Sequence, residues 1–125
     1  MTTNPATLAM VTVDCADPGR EAEFWAAALG GEVGYSDENY GLVTHGGGQR
    51  LGFGRVEGWT PPGWPNEGGS KQFHLDLAVD DLAEAEATML GLGATRPDDQ
   101  PDEGWTVLLD PDGHPFCLTK AANWS

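Results

Sequence analysis

Between Phe73 and Leu82 the chain alternates with a period of two. Phe73, Leu75, Leu77 and Val79 fall on one side, and His74, Asp76 and Ala78 on the other. This pattern predicts a strand with one apolar face to be packed and one face bearing an imidazole and a carboxylate. Asp80 and Asp81 follow as capping residues. Leu82, Ala85, Met89 and Leu92 then recur at spacings of three, four and three, which predicts an amphipathic helix. The start of the chain has the same grammar. After a polar start over residues 1–7, Leu8 to Cys15 reads as a strand with Val11 and Val13 on one face and Met10, Thr12 and Asp14 on the other. Asp17 caps the next helix, Pro18 takes its favoured first position, and Glu21 and Glu23 complement the positive end of the helix dipole. Phe24, Trp25, Ala28 and Leu29 supply an apolar stripe, and Gly30-Gly31 ends it.

Three short strands follow the first helix, over Glu32 to Ser36, Tyr40 to His45 and Arg50 to Val56, with Gly46-Gly47-Gly48 as the turn between the last two. Residues 57–70 carry Trp59, Pro61, Pro62, Trp64 and Pro65, and they read as a linker because proline continues neither a ladder nor a helix. After the second helix come a short strand Ala94 to Arg96, an acidic loop to Glu103, a strand Trp105 to Leu109, the turn Asp110-Pro111-Asp112-Gly113 and a strand Pro115 to Thr119. Both halves therefore read βαβββ. Met10 and Asp17 lie seven apart, as do His74 and Asp81, and the offset between matching features drifts only from 64 to 63 to 65. Two copies of one unit, neither able to bury its own apolar face alone, account for this. The expected organisation is a single α+β domain over 1–125, with a first module at about 8–56, the linker at 57–70 and a second module at about 71–120.

Charge narrows the partners. The 125 residues carry a formal charge of −14 with six lysines and arginines, so a nucleic acid or an anionic membrane surface is not expected. No run of about 18 apolar residues is present, and the N-terminus lacks a basic-then-apolar leader, which points to a cytoplasmic protein. Cys15 and Cys117 are expected as free thiols in that reducing compartment.

Strand parity sorts the side chains. Val11, Val13, Leu51, Phe53, Leu75, Leu77, Val79, Phe116 and Leu118 form the face covered by helices. Met10, Thr12, Asp14, Arg50, Gly52, Gly54, His74, Asp76, Cys117 and Thr119 form the opposite face. Small and polar groups collected on one face leave room for a ligand. His74 could serve as a general base, a metal ligand or a hydrogen-bonding wall, or simply be satisfied by Asp76 or backbone. Asp76 could orient the imidazole or pair with Arg50. Cys117 reads as a packing thiol, because parity sends Lys120 to the other face. Trp59, Trp64 and Trp105 could close over a flat or cationic ligand or pack the linker. The Asp110 to Gly113 stretch lacks the further ligands of a calcium loop and reads as a hairpin turn.

Asp14-Cys15-Ala16-Asp17-Pro18 with Phe24-Trp25 and Leu29-Gly30, His74-Leu75-Asp76-Leu77 with Asp80-Asp81-Leu82, and Asp110 through Leu118 resemble the glyoxalase-like branch of the vicinal oxygen chelate superfamily, which includes glyoxalase I, bleomycin resistance proteins and extradiol dioxygenases. The resemblance covers residues 8 to 120. It implies paired modules whose sheets curve into a cup, with helices on the outer face. It also implies a divalent metal site whose four positions fall here on Met10, Gly52, His74 and Cys117, of which only His74 is a customary ligand for a hard cation. The expectation is therefore a small-molecule-binding protein of the resistance or sequestration type, a homodimer, with no cofactor. Its ligand would be held by Met10, Asp14, Arg50, Gly52, His74, Asp76, Trp64, Trp105 and Cys117, and an acidic cup would suit a cationic molecule. The alternative is a metal-dependent lyase, isomerase or dioxygenase in which His74 and Asp76 are catalytic.

Overall fold

A computed structural model describes residues 5–66 and 68–124. Residues 1–4 of the expected polar start, Glu67 of the linker and Ser125 lie outside the described residues. The chain divides into two compact units, Met1–Trp59 and Thr60–Ser125.

The first unit runs β1 (Val11–Cys15), α1 (Pro18–Leu29), β2 (Glu32–Ser36), β3 (Tyr40–His45) and β4 (Gln49–Arg55). Its four strands form one mixed sheet in the order β1-β4-β3-β2, with β1 parallel to β4 and the other pairs antiparallel. The capping chemistry read from the sequence is present at both ends of α1. The Asp17 side chain accepts from the Arg20 N–H at 3.2 Å, and Pro18 occupies a position where no N–H is needed. Gly30, at φ 66°, closes the helix in the left-handed conformation that glycine adopts without steric cost. The helix lies hard against β3 because Gly41 has no side chain to hold it off. A Cβ on Gly41 would sit 2.7 Å from the Pro18 carbonyl oxygen. The core holds Phe24 and Trp25, whose rings meet edge to face at 5.1 Å, together with Cys15, Val43, Leu51 and Phe53. Glu21 is fully buried while Glu23 is exposed. Val11, placed by parity in the core, is instead 46% exposed, because it opens an edge strand.

The second unit runs β5 (Leu75–Val79), α2 (Leu82–Leu92), β6 (Trp105–Leu109), β7 (Pro115–Lys120) and a final turn of 3-10 helix (Ala121–Trp124). Its sheet has the order β5-β7-β6, with β5 parallel and β6 antiparallel to β7. The strand expected over Ala94 to Arg96 survives as one bridge, in which Thr95 and Leu109 exchange N–H···O bonds of 2.9 and 2.8 Å. Pro97 has no N–H with which to continue the ladder. The side-chain amide of Gln100 replaces the missing peptide, donating to the Val107 carbonyl at 2.9 Å and accepting from the Val107 N–H at 2.8 Å. Asp81 caps α2 through the Glu84 N–H at 2.9 Å. Only Met89 of this helix is buried, and Leu92, expected on the packed stripe, is 39% exposed. Phe73 is fully exposed: Gln72, at φ 61°, turns the chain just before β5, so the alternation takes hold only from Leu75. Asp110 to Gly113 forms the hairpin turn between β6 and β7, and the Asp110 carboxylate is buried within it. Among the described residues no helix is long and apolar enough to cross a membrane.

Candidate functional site

The register of the second sheet sets Asp76 beside Cys117 and Cys117 beside Val107, and one step along, Ala78 beside Thr119 and Thr119 beside Trp105. Residues paired across neighbouring strands share a face. His74 immediately precedes β5 and turns back toward this row. Its Nε2 lies 3.3 Å from an Asp76 carboxylate oxygen, and its Nδ1 lies 3.2 Å from the Gln72 carbonyl oxygen. Asp76 thus meets His74, one of the partners open to it on sequence grounds. One ligand atom each from His74, Asp76 and Cys117 falls within 4.8 Å of the others. His74 and Asp76 are partly exposed, and Cys117 is buried.

Burial pushes the Cys117 thiol up to about 11; the negative charge of Asp76 and the hydrogen bond that the thiol gives it act in the same direction, and the Lys71 ammonium opposes them. A consequence follows for stability. The folded protein keeps its Cys117 proton to higher pH than the unfolded chain, so the contribution is complete below about pH 9 and is lost as pH rises through about 11. Melting temperature should therefore fall between those values in the parent protein, and the slope should flatten in Cys117→Ala, as read by thermal denaturation over an alkaline pH series.

Two side-chain contacts not anticipated from sequence occur in this unit. Lys71 holds its Nζ 4.8 Å from the centroid of the Trp64 ring. Trp124 donates its indole N–H to the Thr119 hydroxyl at 2.7 Å, and that hydroxyl donates in turn to the Leu77 carbonyl at 2.9 Å. Trp64 itself is half-buried, and its indole N–H has no acceptor among the described residues. Trp105, opposite Thr119 on the same face, also borders a cavity of about 380 Å³ together with Arg96, Gln100 and Glu103.

Met10, Asp14, Arg50 and Gly52 belong to the first unit. Gly52 is buried, and a Cβ there would lie 2.7 Å from the Tyr40 hydroxyl and 3.0 Å from Met10 Sδ. The Tyr40 hydroxyl donates to that sulfur at 3.6 Å. Tyr40 was legible in principle, since its neighbour Gly41 must face α1 and parity then turns the tyrosine to the opposite face. Asp14 and Arg50 are exposed.

The family profile described as a glyoxalase-like domain matches residues 10–119. Among curated proteins none matches. Solved structures with the same fold include a glyoxalase/bleomycin resistance protein/dioxygenase family enzyme from Burkholderia phytofirmans, at 18% identity and TM-score 0.66, covering 93% of this chain and 99% of its own. A glyoxalase family protein from Enterococcus faecalis is 23% identical with TM-score 0.63, covering 90% of this chain and 95% of its own. The bleomycin resistance determinant encoded on transposon Tn5 is 21% identical with TM-score 0.56, covering 92% and 98%.

Proposed function

Because the chain belongs to the glyoxalase-like domain family, within the vicinal oxygen chelate superfamily, we propose that it binds a small organic ligand on the face that carries His74, Asp76 and Cys117, without the divalent metal customary in that superfamily. The observation that carries this reading is the donor set. Of the four positions onto which the metal site maps, Gly52 offers no side chain, and the space a side chain would need is held by the Tyr40 hydroxyl and Met10 Sδ. A thioether is a poor partner for a hard cation. Met10 and Gly52 thus supply no donor suited to such an ion. Tight retention of a ligand needs only shape and hydrogen bonds. On the same reading the protein acts in the cytoplasm as a homodimer, and its charge of −14 keeps it from nucleic acid.

A thermal-shift screen of small organic molecules tests this. A ligand at 100 times its Kd should stabilise the protein by about 2.7 kcal/mol, and His74→Ala should weaken a hit by about tenfold or more, the loss expected for a directed hydrogen bond in a partly desolvated site. Hits indifferent to both His74→Ala and Asp76→Asn would place the ligand elsewhere. The rival reading is an enzyme of the lyase, isomerase or dioxygenase type: Asp76 holds one imidazole nitrogen at 3.3 Å as the orienting partner of a proton-transfer group does, and the Gln72 carbonyl at the other nitrogen would have to give way to substrate.

A further inference from the structure

The strand β6 lies at the outer edge of the second sheet, with β7 on one side only. Its outward hydrogen-bonding groups are taken in turn. The N–H and C=O of Leu109 go to Thr95, and those of Val107 go to the carboxamide of Gln100. Along an antiparallel strand every second residue turns these groups away from its partner, so the next outward pair belongs to Trp105. Among the described residues nothing meets that pair outside the ladder. At this point the edge opens into the cleft of about 380 Å³ bordered by Arg96, Gln100, Asp102, Glu103 and Trp105. We propose that the cleft is a second ligand site, and that it takes a single planar ring bearing a carboxamide, whose amide pairs with the Trp105 N–H and C=O as the Gln100 amide pairs with those of Val107. His74, Asp76 and Cys117 have no part in it, so it does not rest on the ligand reading above.

The precedent for that chemistry is internal. Gln100 accepts from the Val107 N–H at 2.8 Å and donates to the Val107 carbonyl at 2.9 Å, and a further bond of 3.0 Å to the Pro97 carbonyl holds it in place. A carboxamide offers a donor and an acceptor side by side, whereas a carboxylate or an ester offers no donor to the Trp105 carbonyl. Size points to a small molecule. The cleft lies at the lower end of the roughly 300 to 1,000 Å³ range of ligand pockets. A peptide strand laid along β6 would need the stretch that Gln100 and Thr95 already cover. Trp105 is 36% exposed and supplies an aromatic surface for a flat ring. Charge sets the preferred sign. Arg96 is engaged by Glu86, while Asp102 and Glu103 bring two exposed carboxylates with no cationic partner among the described residues. An anionic ring is therefore disfavoured, and a positive charge on the ring is favoured both by these acids and by the indole.

The test is a titration of the full chain, labelled for amide NMR, with nicotinamide, nicotinamide methylated on its ring nitrogen, nicotinamide dimethylated on its amide, and nicotinate. The expected result is a saturable shift of the Trp105 main-chain amide with nicotinamide. The ring-methylated cation should bind about threefold or more tightly. The dimethylated amide, which has lost its donors, and nicotinate should each bind about tenfold more weakly. Trp105→Ala should weaken nicotinamide by about fivefold or more, and Trp105→Phe should retain most of the affinity. The double variant Asp102→Asn with Glu103→Gln should remove the advantage of the cation and leave nicotinamide unchanged. A Trp105 amide that responds to neither nicotinamide nor its cation would overturn the proposal. So would a dimethylated amide or a nicotinate that binds as tightly as nicotinamide. The His74→Ala screen is unaffected by any of these results, so the two sites stand or fall separately.

Discussion

Gly31→Ala is expected to destabilise the protein by about 3 kcal/mol or more, with a melting temperature lower by roughly 10 °C. A Cβ at this position would lie 2.3 Å from the Thr44 carbonyl oxygen and 2.9 Å from the His45 Cβ. Both belong to β3, whose backbone is held by β2 and β4 on either side and cannot retreat cheaply. The chain must leave α1 through the gap that Gly31 keeps open. Gly41→Ala should act in the same direction from the other side, since its Cβ would meet the Pro18 carbonyl oxygen at 2.7 Å and the Ala22 Cβ at 3.2 Å. Gly91→Ala supplies the contrast. It lies within α2 with nothing in reach of an added Cβ, so alanine should stabilise there by up to about 1 kcal/mol. Urea and thermal denaturation of the three variants should thus give two losses and one gain. Equal and small effects at all three positions would contradict the close helix-to-sheet contact.

Asp110→Ala is expected to cost about 3 kcal/mol, through a different mechanism. The Asp110 carboxylate accepts from the Asp112 N–H at 3.1 Å, from the His114 N–H at 3.0 Å and from His114 Nδ1 at 2.9 Å, and the residue is 3% exposed. Removing the acceptor leaves those donors without it in a region largely shut off from water, which costs more than the bonds themselves contribute. Asp110→Asn keeps one oxygen in place and should lose less. Denaturation midpoints for the two variants decide the matter: an alanine variant as stable as the asparagine variant would mean that the turn does not depend on the carboxylate.

The reading from sequence went furthest where one local rule governed the outcome. Asp17 with Pro18, Asp81, Gly30 and the Gly46 to Gly48 turn all do in the structure what their chemistry dictates. The period-two pattern placed Asp76 and Cys117 on one face, and the register of β5 on β7 pairs them. It went astray where tertiary contacts overrule pattern. Phe73 continues the alternation in sequence, but the Gln72 turn breaks it, and Leu92 completes a helical stripe that the sheet beneath α2 does not cover. The third strand of the second module shrank to a bridge because a proline follows it and a glutamine side chain takes over its hydrogen bonds. Lys71 and Trp124 reach their positions by side-chain contacts, to Trp64 and Thr119 respectively, that no spacing rule encodes. Trp105 lies opposite Thr119, on the face of Asp76 and Cys117, and also borders a cavity.

The proposed function turns on a face that grips an organic molecule with hydrogen bonds and charge rather than through a bound divalent ion. Metal analysis of protein purified without chelator tests this most directly. The account predicts substoichiometric divalent metal, with no difference between the parent and His74→Ala; about one transition-metal ion per chain, lost in His74→Ala, would contradict it.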